Sequence, residues 1–323
     1  MLAAVVDAVG SAPTAAEWDE PVRTDGAALG AVAAAPLNPV EIRVAAGRHA
    51  REAKPPYVPG LEGAGTVIES TRLSPGTRVR FEGLALPGFG AQGTLAERAA
   101  VPEESLVELP DEASDDLAAA LGVVGVTALL ALERAALIGG ERVLVLGATG
   151  AVGQLAIQLG KLMGAGRVVA AGRSAERLGR VRELGADDVV ELREGDLASA
   201  FEQAAGGRLD VVIDPLWGEP AMAALRAIAT EGRLVNVGQA AGTDVRLPLE
   251  LVRNRQGAIH AISSGWTPLE RKASAYRRLL EHAVAGRLTV DREVVPLDEV
   301  SAAWERQEAS PGRKLVLEVG RRA

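Results

Sequence analysis

The sequence predicts an α/β protein: a doubly wound parallel sheet of six strands inserted into a smaller β-rich domain. Three observations carry that expectation. At 323 residues the chain is longer than one hydrophobic core comfortably organises, so two domains are expected. The first hundred or so residues alternate short apolar runs, such as Ala31–Ala35 and Gly65–Ile68, with turn pairs at Pro55-Pro56, Pro59-Gly60, Pro75-Gly76 and Pro87-Gly88. That texture, with few helical stretches, suits a small barrel or sandwich. From about Asp115 to about Ser263, strand-like and helix-like patterns alternate instead, as repeated βαβ units do. The expected division is a β-rich domain over 1–114, completed by 264–323, and a parallel-sheet domain over 115–263.

The elements follow in order. Met1–Gly10 is apolar, lacks a basic leader and is interrupted by Asp7, so it reads as a first strand and not as a signal peptide. Arg142–Leu146 is a nearly continuous apolar run, as a strand covered on both faces requires. Val152, Leu155, Ala156, Leu159 and Met163 then recur at helical spacing. Arg167–Ala171 is the second strand. Ser174 is placed to cap the next helix, whose buried stripe is Leu178, Val181 and Leu184, with Gly185 to end it. Asp188–Leu192, Asp210–Ile213, Arg233–Val237 and Ala258–Ile262 complete six strands, enough for a full doubly wound sheet. The tail holds a helix over Glu270–Ala285 and a strand over Lys314–Val319, which would return to the first domain.

Composition removes several function classes. A formal charge of −8 and only 3% aromatic residues leave neither a basic groove nor stacking platforms, so nucleic acid is not the expected partner. The absence of cysteine removes disulfides, thiolate nucleophiles and every Cys-based zinc site. The three histidines, His49, His260 and His282, lack ligand spacing. No stretch reads as the roughly 20 uninterrupted apolar residues that span a bilayer, and a cytoplasmic protein without a membrane partner is expected.

The motif that carries chemistry is Gly147-Ala-Thr-Gly-Ala-Val-Gly153, set between the first strand of the alternating region and its helix. Gly150 lets the backbone approach a pyrophosphate and Gly153 lets helix pack closely on strand, while the helix N-terminus offers N–H groups to the phosphates. This is the context in which a Rossmann dinucleotide site forms. An NAD site would place an acid at the end of the second strand. Here the residues are Gly172-Arg173-Ser174, with Arg177 one turn on. Guanidinium and hydroxyl groups bind a 2′-phosphate where a carboxylate would repel it, so NADPH is expected over NADH.

With these motifs on the page, the chain resembles the medium-chain dehydrogenase/reductase superfamily, and within it the zinc-independent quinone oxidoreductases related to ζ-crystallin. The resemblance rests on Leu37-Asn-Pro-Val-Glu41, Pro56-Tyr-Val-Pro-Gly-Leu-Glu-Gly-Ala-Gly65, Gly125-Val-Thr-Ala128, Gly147–Gly153, Gly232-Arg-Leu-Val-Asn-Val-Gly238, Gly286-Arg-Leu, Val295-Pro-Leu-Asp-Glu-Val300 and Gly312–Glu318, in that order. It implies a GroES-like substrate domain clasping the Rossmann domain. It implies Thr149, Gly150, Ala151, Val152 and Gly153 on the pyrophosphate, and Gly172, Arg173, Ser174 and Arg177 at the 2′-phosphate. Val237, Gly238 and Gln239 would lie along the nicotinamide ribose, with Asn38 and Thr127 toward nicotinamide and substrate. Relatives often dimerise through edge strands, so a homodimer through Ala258–Ile262 is implied.

Two departures matter. Zinc-dependent relatives use a Cys and a Gly-His-Glu turn, whereas this chain has no Cys and reads Gly60-Leu61-Glu62. Many quinone reductases carry a Tyr where this chain has Arg43. Without a Lewis acid, an acceptor that delocalises charge is favoured: a quinone or another α,β-unsaturated carbonyl. Asn38, Thr127 or Arg43 would donate to the developing oxyanion, and water would supply the proton. An enoyl-thioester reductase and a non-catalytic NADPH-binding regulatory protein are the alternatives. The Tyr-x-x-x-Lys of short-chain reductases is missing, since Tyr57 is followed four on by Leu61 and Tyr276 by Leu280.

Overall fold

In the computed structural model the described residues are 1–49, 53–83 and 92–320; the expected Pro87-Gly88 turn lies outside them. The chain begins with β1 (Leu2–Val5), β2 (Thr14–Glu17), β3 (Ala27–Pro36), α1 (Pro39–Ala45), β4 (Glu62–Glu69), β5 (Arg78–Glu82), β6 (Arg98–Pro102), β7 (Val107–Glu108) and α2 (Asp115–Arg134). β1 and β2 pair as an antiparallel ribbon. The ten-residue β3 is the organiser, pairing antiparallel with both β4 and β6. Its register against β4 slips between Val32 and Ala34. Gly65 is needed there, because a Cβ on it would lie 1.9 Å from the Ala31 carbonyl oxygen.

The parallel-sheet region follows: β8 (Arg142–Val145), α3 (Ala151–Leu162), β9 (Arg167–Gly172), α4 (Ala175–Glu183), β10 (Asp188–Glu191), α5 (Leu197–Ala205), β11 (Leu209–Asp214), α6 (Gly218–Arg226), β12 (Ile228–Asn236), α7 (Glu250–Arg253) and β13 (Ala258–Ala261). All five ladders are parallel and the order is β10-β9-β8-β11-β12-β13. The order reverses between β8 and β11, and in such sheets ligands bind outside the carboxyl ends of the strands at that point. Val143, Leu144, Val145, Val211, Val212 and Ile213 are wholly buried, which is why their strands read as unbroken apolar runs. β12 begins five residues earlier than expected. Ile228 pairs with Leu209 before an irregular step, and Glu231 there adopts φ +60°, so the strand contains a kink that periodicity does not show.

The tail supplies α8 (Leu269–Val284), β14 (Arg292–Pro296), α9 (Val300–Glu308) and β15 (Lys314–Glu318). β15 pairs antiparallel with β3, so the return of the tail to the first sheet is observed; that sheet runs β14-β15-β3-β4-β5-β7. The chain thus forms two compact units, residues 1–123 with 268–323 and residues 124–267. The first has a core of aliphatic residues around Phe81, Leu95 and Trp304; the second packs α5 and α6 residues such as Phe201 and Met222 on Leu144 and Val212.

The passage between units runs through α2, which breaks at Gly122 (φ −48°, ψ −111°). The expectation that no stretch is long and apolar enough to cross a bilayer does not hold for α2, yet 78% of its most apolar 18-residue window is buried inside the protein. Its apolar surface already has a partner.

Candidate functional site

The parallel-sheet unit presents its crevice as a set of loops at strand ends. After β8 the chain turns at Gly147 (φ +58°), and Gly150 leads α3 in an extended conformation without a side-chain cap. Leu146 N donates to the Ile213 carbonyl and Ala148 N to that of Ala171, which seats the loop between β11 and β9. Gly153 has a packing reason, because a Cβ would stand 2.5 Å from the Gly147 oxygen and 2.6 Å from the Ala148 Cα. Gly150 has none of that kind, since its Cβ would meet only the Gly147 oxygen, at 3.5 Å. Its missing side chain leaves room in front of the first turn of a twelve-residue helix with no acid there, where Ala151 and Val152 sit. An anion fits such a place. Thr149 is held by its carbonyl, which accepts from Gln154 Nε2 at 3.0 Å.

At the tip of β9, Gly172 is buried and a Cβ there would press on Thr149 Cγ2 at 3.1 Å. Ser174 is the N-cap of α4, as expected, with its Oγ accepting from Arg177 N at 3.3 Å. The hydroxyl hydrogen stays available to a ligand acceptor. Arg173 is exposed and Arg177 half-buried. The loops after β8 and β9 therefore bring together Thr149, Gly150, Ala151, Val152, Gly153, Gly172, Arg173, Ser174 and Arg177.

The loop after β12 contains Val237, Gly238 and Gln239, with Val237 N donating to the Asp214 carbonyl at 2.8 Å. Sequence reasoning missed the residue that organises this side. Asp214 ends β11, is fully buried, and its Oδ1 accepts from Leu216 N (2.9 Å) and Trp217 N (2.8 Å) while Oδ2 accepts from Asn236 Nδ2 (2.8 Å). Burial pushes its carboxyl above the usual range, against the lowering effect of those donors. The available signal was a polar residue closing each of two apolar strands, Asp214 and Asn236.

In the β-rich unit, Asn38 and Arg43 lie on α1. Asn38 is its N-cap, and the Glu41 carboxylate returns a bond to the Asn38 N–H at 2.9 Å. The Asn38 side chain is buried and engaged at both ends: Oδ1 accepts from Lys314 Nζ at 2.6 Å and Nδ2 donates to Glu62 Oε1 at 3.3 Å. One N–H of the amide is left over. Arg43 reaches the Arg48 carbonyl at 3.5 Å. Tyr57, also buried, has a hydroxyl without a hydrogen-bond partner, and burial with the nearby Glu41 charge pushes it up to about 12. It stays protonated at neutral pH and is a donor without an acceptor. In the other unit, Thr127 lies on α2, five residues past the break, and is 8% exposed.

A network of buried charge surrounds Asn38. Glu62 Oε2 accepts from Arg80 Nη2 and from Val123 N, both at 2.7 Å. Arg80 also donates to Glu82 at 2.8 Å, which in turn pairs with Lys272, and the guanidinium stacks 4.9 Å from the Tyr276 ring centre. Glu62 closes the Gly60-Leu61-Glu62 turn, where zinc-dependent relatives carry Gly-His-Glu. Its carboxylate is already held by a guanidinium, and among the described residues no group of three or more His, Cys, Asp or Glu could hold a metal ion. The donor set does not fit zinc.

The comparisons with known proteins agree with this fold. Two family models match, the alcohol dehydrogenase GroES-like domain over residues 24–111 and the zinc-binding dehydrogenase over residues 151–275. The chain is 31% identical to quinone oxidoreductase-like protein 2 of Bos taurus over 294 residues, 87% of this chain and 82% of that one. Among solved structures it is similar to an NAD-dependent alcohol dehydrogenase, with TM-score 0.89 and 26% identity over 99% of this chain and 100% of that one. It is also similar to the quinone oxidoreductase of Thermus thermophilus, studied with its NADPH complex, with TM-score 0.80 and 30% identity over 99% and 100% of the two chains. With both halves matched in order on a six-stranded parallel sheet and a β-rich partner, the chain belongs to the medium-chain dehydrogenase/reductase superfamily, in its zinc-independent quinone oxidoreductase branch, and is an oxidoreductase whose fold implies a nicotinamide cofactor.

Proposed function

We propose that the protein is an NADPH-dependent reductase that passes hydride to a quinone or another α,β-unsaturated carbonyl. The observation that carries the cofactor choice is the tip of β9. The chain's neighbours in fold include an NAD-dependent alcohol dehydrogenase and a quinone oxidoreductase studied with NADPH, so general likeness does not decide. The residues at the tip favour NADPH. Arg173 is exposed and makes no ion pair among the described residues, Ser174 keeps a hydroxyl hydrogen, and no acid ends the strand. Arg173, Ser174 and Arg177 would hold the 2′-phosphate, Thr149–Gly153 the pyrophosphate, and Val237–Gln239 the ribose next to nicotinamide. When bound, the cofactor supplies the hydride. The leftover Asn38 N–H, Thr127, Arg43 and the unpartnered Tyr57 hydroxyl are the donors this chain offers to the acceptor oxygen. A conjugated acceptor suits such neutral and guanidinium donors, because its negative charge is already spread.

NADPH oxidation with 1,2-naphthoquinone and with a simple enone tests the reading; tight NADPH binding without turnover of either defeats it. Arg173→Asp should weaken NADPH about 10- to 100-fold, the range of a lost charge-assisted bond, and leave NADH nearly unchanged. Equal loss for both nucleotides defeats the phosphate assignment. The free edge of β13 is proposed to pair with a second copy, which sedimentation would show as a dimer.

A further inference from the structure

The loops after β11 and β12 converge on the side chain of Asp214. Asp214 bonds forward to Leu216 N and Trp217 N and sideways to Asn236, whose Nδ2 also donates to the Gly238 carbonyl at 2.7 Å. The two loops are laced further by Ala241 N to the Leu216 carbonyl at 2.8 Å. The loop after β11 also lies close to the phosphate loop: a Cβ on Gly147 would meet Pro215 Cγ at 3.0 Å and Leu216 Cδ2 at 3.2 Å. The backbone within this lacing is not relaxed. Trp217 sits at φ +55°, ψ −158°, at the margin of a region that side-chain-bearing residues avoid. Such a conformation persists only where its surroundings hold it, and the hydrogen bond that holds Trp217 N ends on Asp214.

The side of the crevice follows from the proposed reading of the β9 tip. The adenosine half of a dinucleotide would lie toward β9, where Arg173 is, and the nicotinamide half would then lie toward β11 and β12. We infer that Asp214, braced by Asn236, is the positioning residue for the nicotinamide half of the cofactor, fixing the shape of loops 215–217 and 237–239 without touching the reacting atoms. This rests on reading the parallel-sheet unit as a dinucleotide site.

A test uses the full chain and calorimetric titration with NADPH or NADH, whichever binds tighter, and with its adenosine half alone, 2′,5′-ADP or 5′-AMP. Asp214→Asn turns an amide donor toward the Asn236 donor. It should weaken the whole nucleotide by about tenfold or more, as loss of a hydrogen bond to a charged group does, and leave the adenosine half within about twofold. The swapped pair Asp214→Asn with Asn236→Asp reverses that bond and keeps the acceptor for Leu216 and Trp217, but loses the donor to the Gly238 carbonyl, so the recovery is partial. It should regain at least about threefold of the loss. If Asp214→Asn does not fold, the swapped pair decides alone, by binding the adenosine half as the parent does and the whole nucleotide within about tenfold. Equal loss of both ligands, an unchanged nucleotide affinity, or no recovery in the swapped pair overturns the inference. A parent protein that binds neither nucleotide overturns the dinucleotide reading and takes this inference with it.

Discussion

The two units bury very different interiors. In the parallel-sheet unit, Asp214 is the one charged residue among the described residues that is buried. The β-rich unit buries Glu41, Glu62, Arg80, Glu82, Glu103, Lys272 and Lys314. The cause is architectural. A parallel sheet covered by helices satisfies its backbone internally and needs only aliphatic side chains to fill both faces. The β-rich unit is closed by pieces far apart in sequence, and buried lysines join them: Lys272 of α8 pairs with Glu82 of β5, and Lys314 of β15 donates to Asn38 before α1. One interior is packed and the other is wired. A buried pair is weak evidence of net stability, but removing one member leaves a charge with no counterpart.

That difference has its largest consequence at Arg80, which is 1% exposed and serves Glu62 and Glu82 together. Arg80→Ala should cost about 3–5 kcal/mol or prevent folding, measured by denaturant unfolding. Leu144→Ala, wholly buried in the aliphatic sheet, should cost about 2–5 kcal/mol through the cavity it leaves. The two separate in the rescue. Arg80→Met combined with Glu62→Leu, Glu82→Leu and Lys272→Met should recover much of the loss, because no charge of the network is then stranded; failure to recover would mean that the network specifies the fold and does not merely satisfy itself.

The same contrast explains what was legible. Strands β8 to β13 could be read from apolar runs, and the glycine loop and the strand tip followed from their positions beside those runs. The network could not. Glu62 and Arg80 are eighteen positions apart on different strands, and Lys314 pairs with Asn38 across 276 residues, so no local period links them. Asp214 escaped for another reason: the strand was ended one residue early, at Ile213, because a charge normally marks the edge of an apolar run. The break in α2 at Gly122 was not legible either, because the N–H that follows it, on Val123, is held by Glu62, sixty-one positions away.

A pH experiment sharpens the comparison next. Burial raises Glu41 to about 7 from 4.5, with Glu62 adding to the rise and the Asn38 and Leu61 N–H groups and Lys314 opposing it. The folded chain therefore keeps a proton that the unfolded chain releases. The resulting stability is complete below about pH 4.5 and is lost as pH climbs toward 7, a swing on the order of 3 kcal/mol. Glu41→Gln should remove that component, so the difference between parent and variant unfolding free energies should slope between pH 4.5 and 7 and flatten above. A difference that is level across the window would mean that Glu41 is ionised throughout.

The smallest effect is expected from another arginine. Arg180 on α4 pairs with Glu176 one turn earlier, but the two side chains are 62% and 78% exposed. The acid precedes the base, the favourable order on a helix, and such pairs contribute about 0.3–0.5 kcal/mol. Arg180→Ala also installs the best helix former, which offsets most of that loss. The net change in unfolding free energy should therefore stay within about 0.5 kcal/mol, and the pair's share should vanish in about 1 M salt. Arg80→Ala should keep its cost in the same salt, since ions do not reach a network this deeply enclosed. If the two arginines responded alike to salt, burial would not be what separates them, and the contrast between the wired and the packed interior would fail at its root.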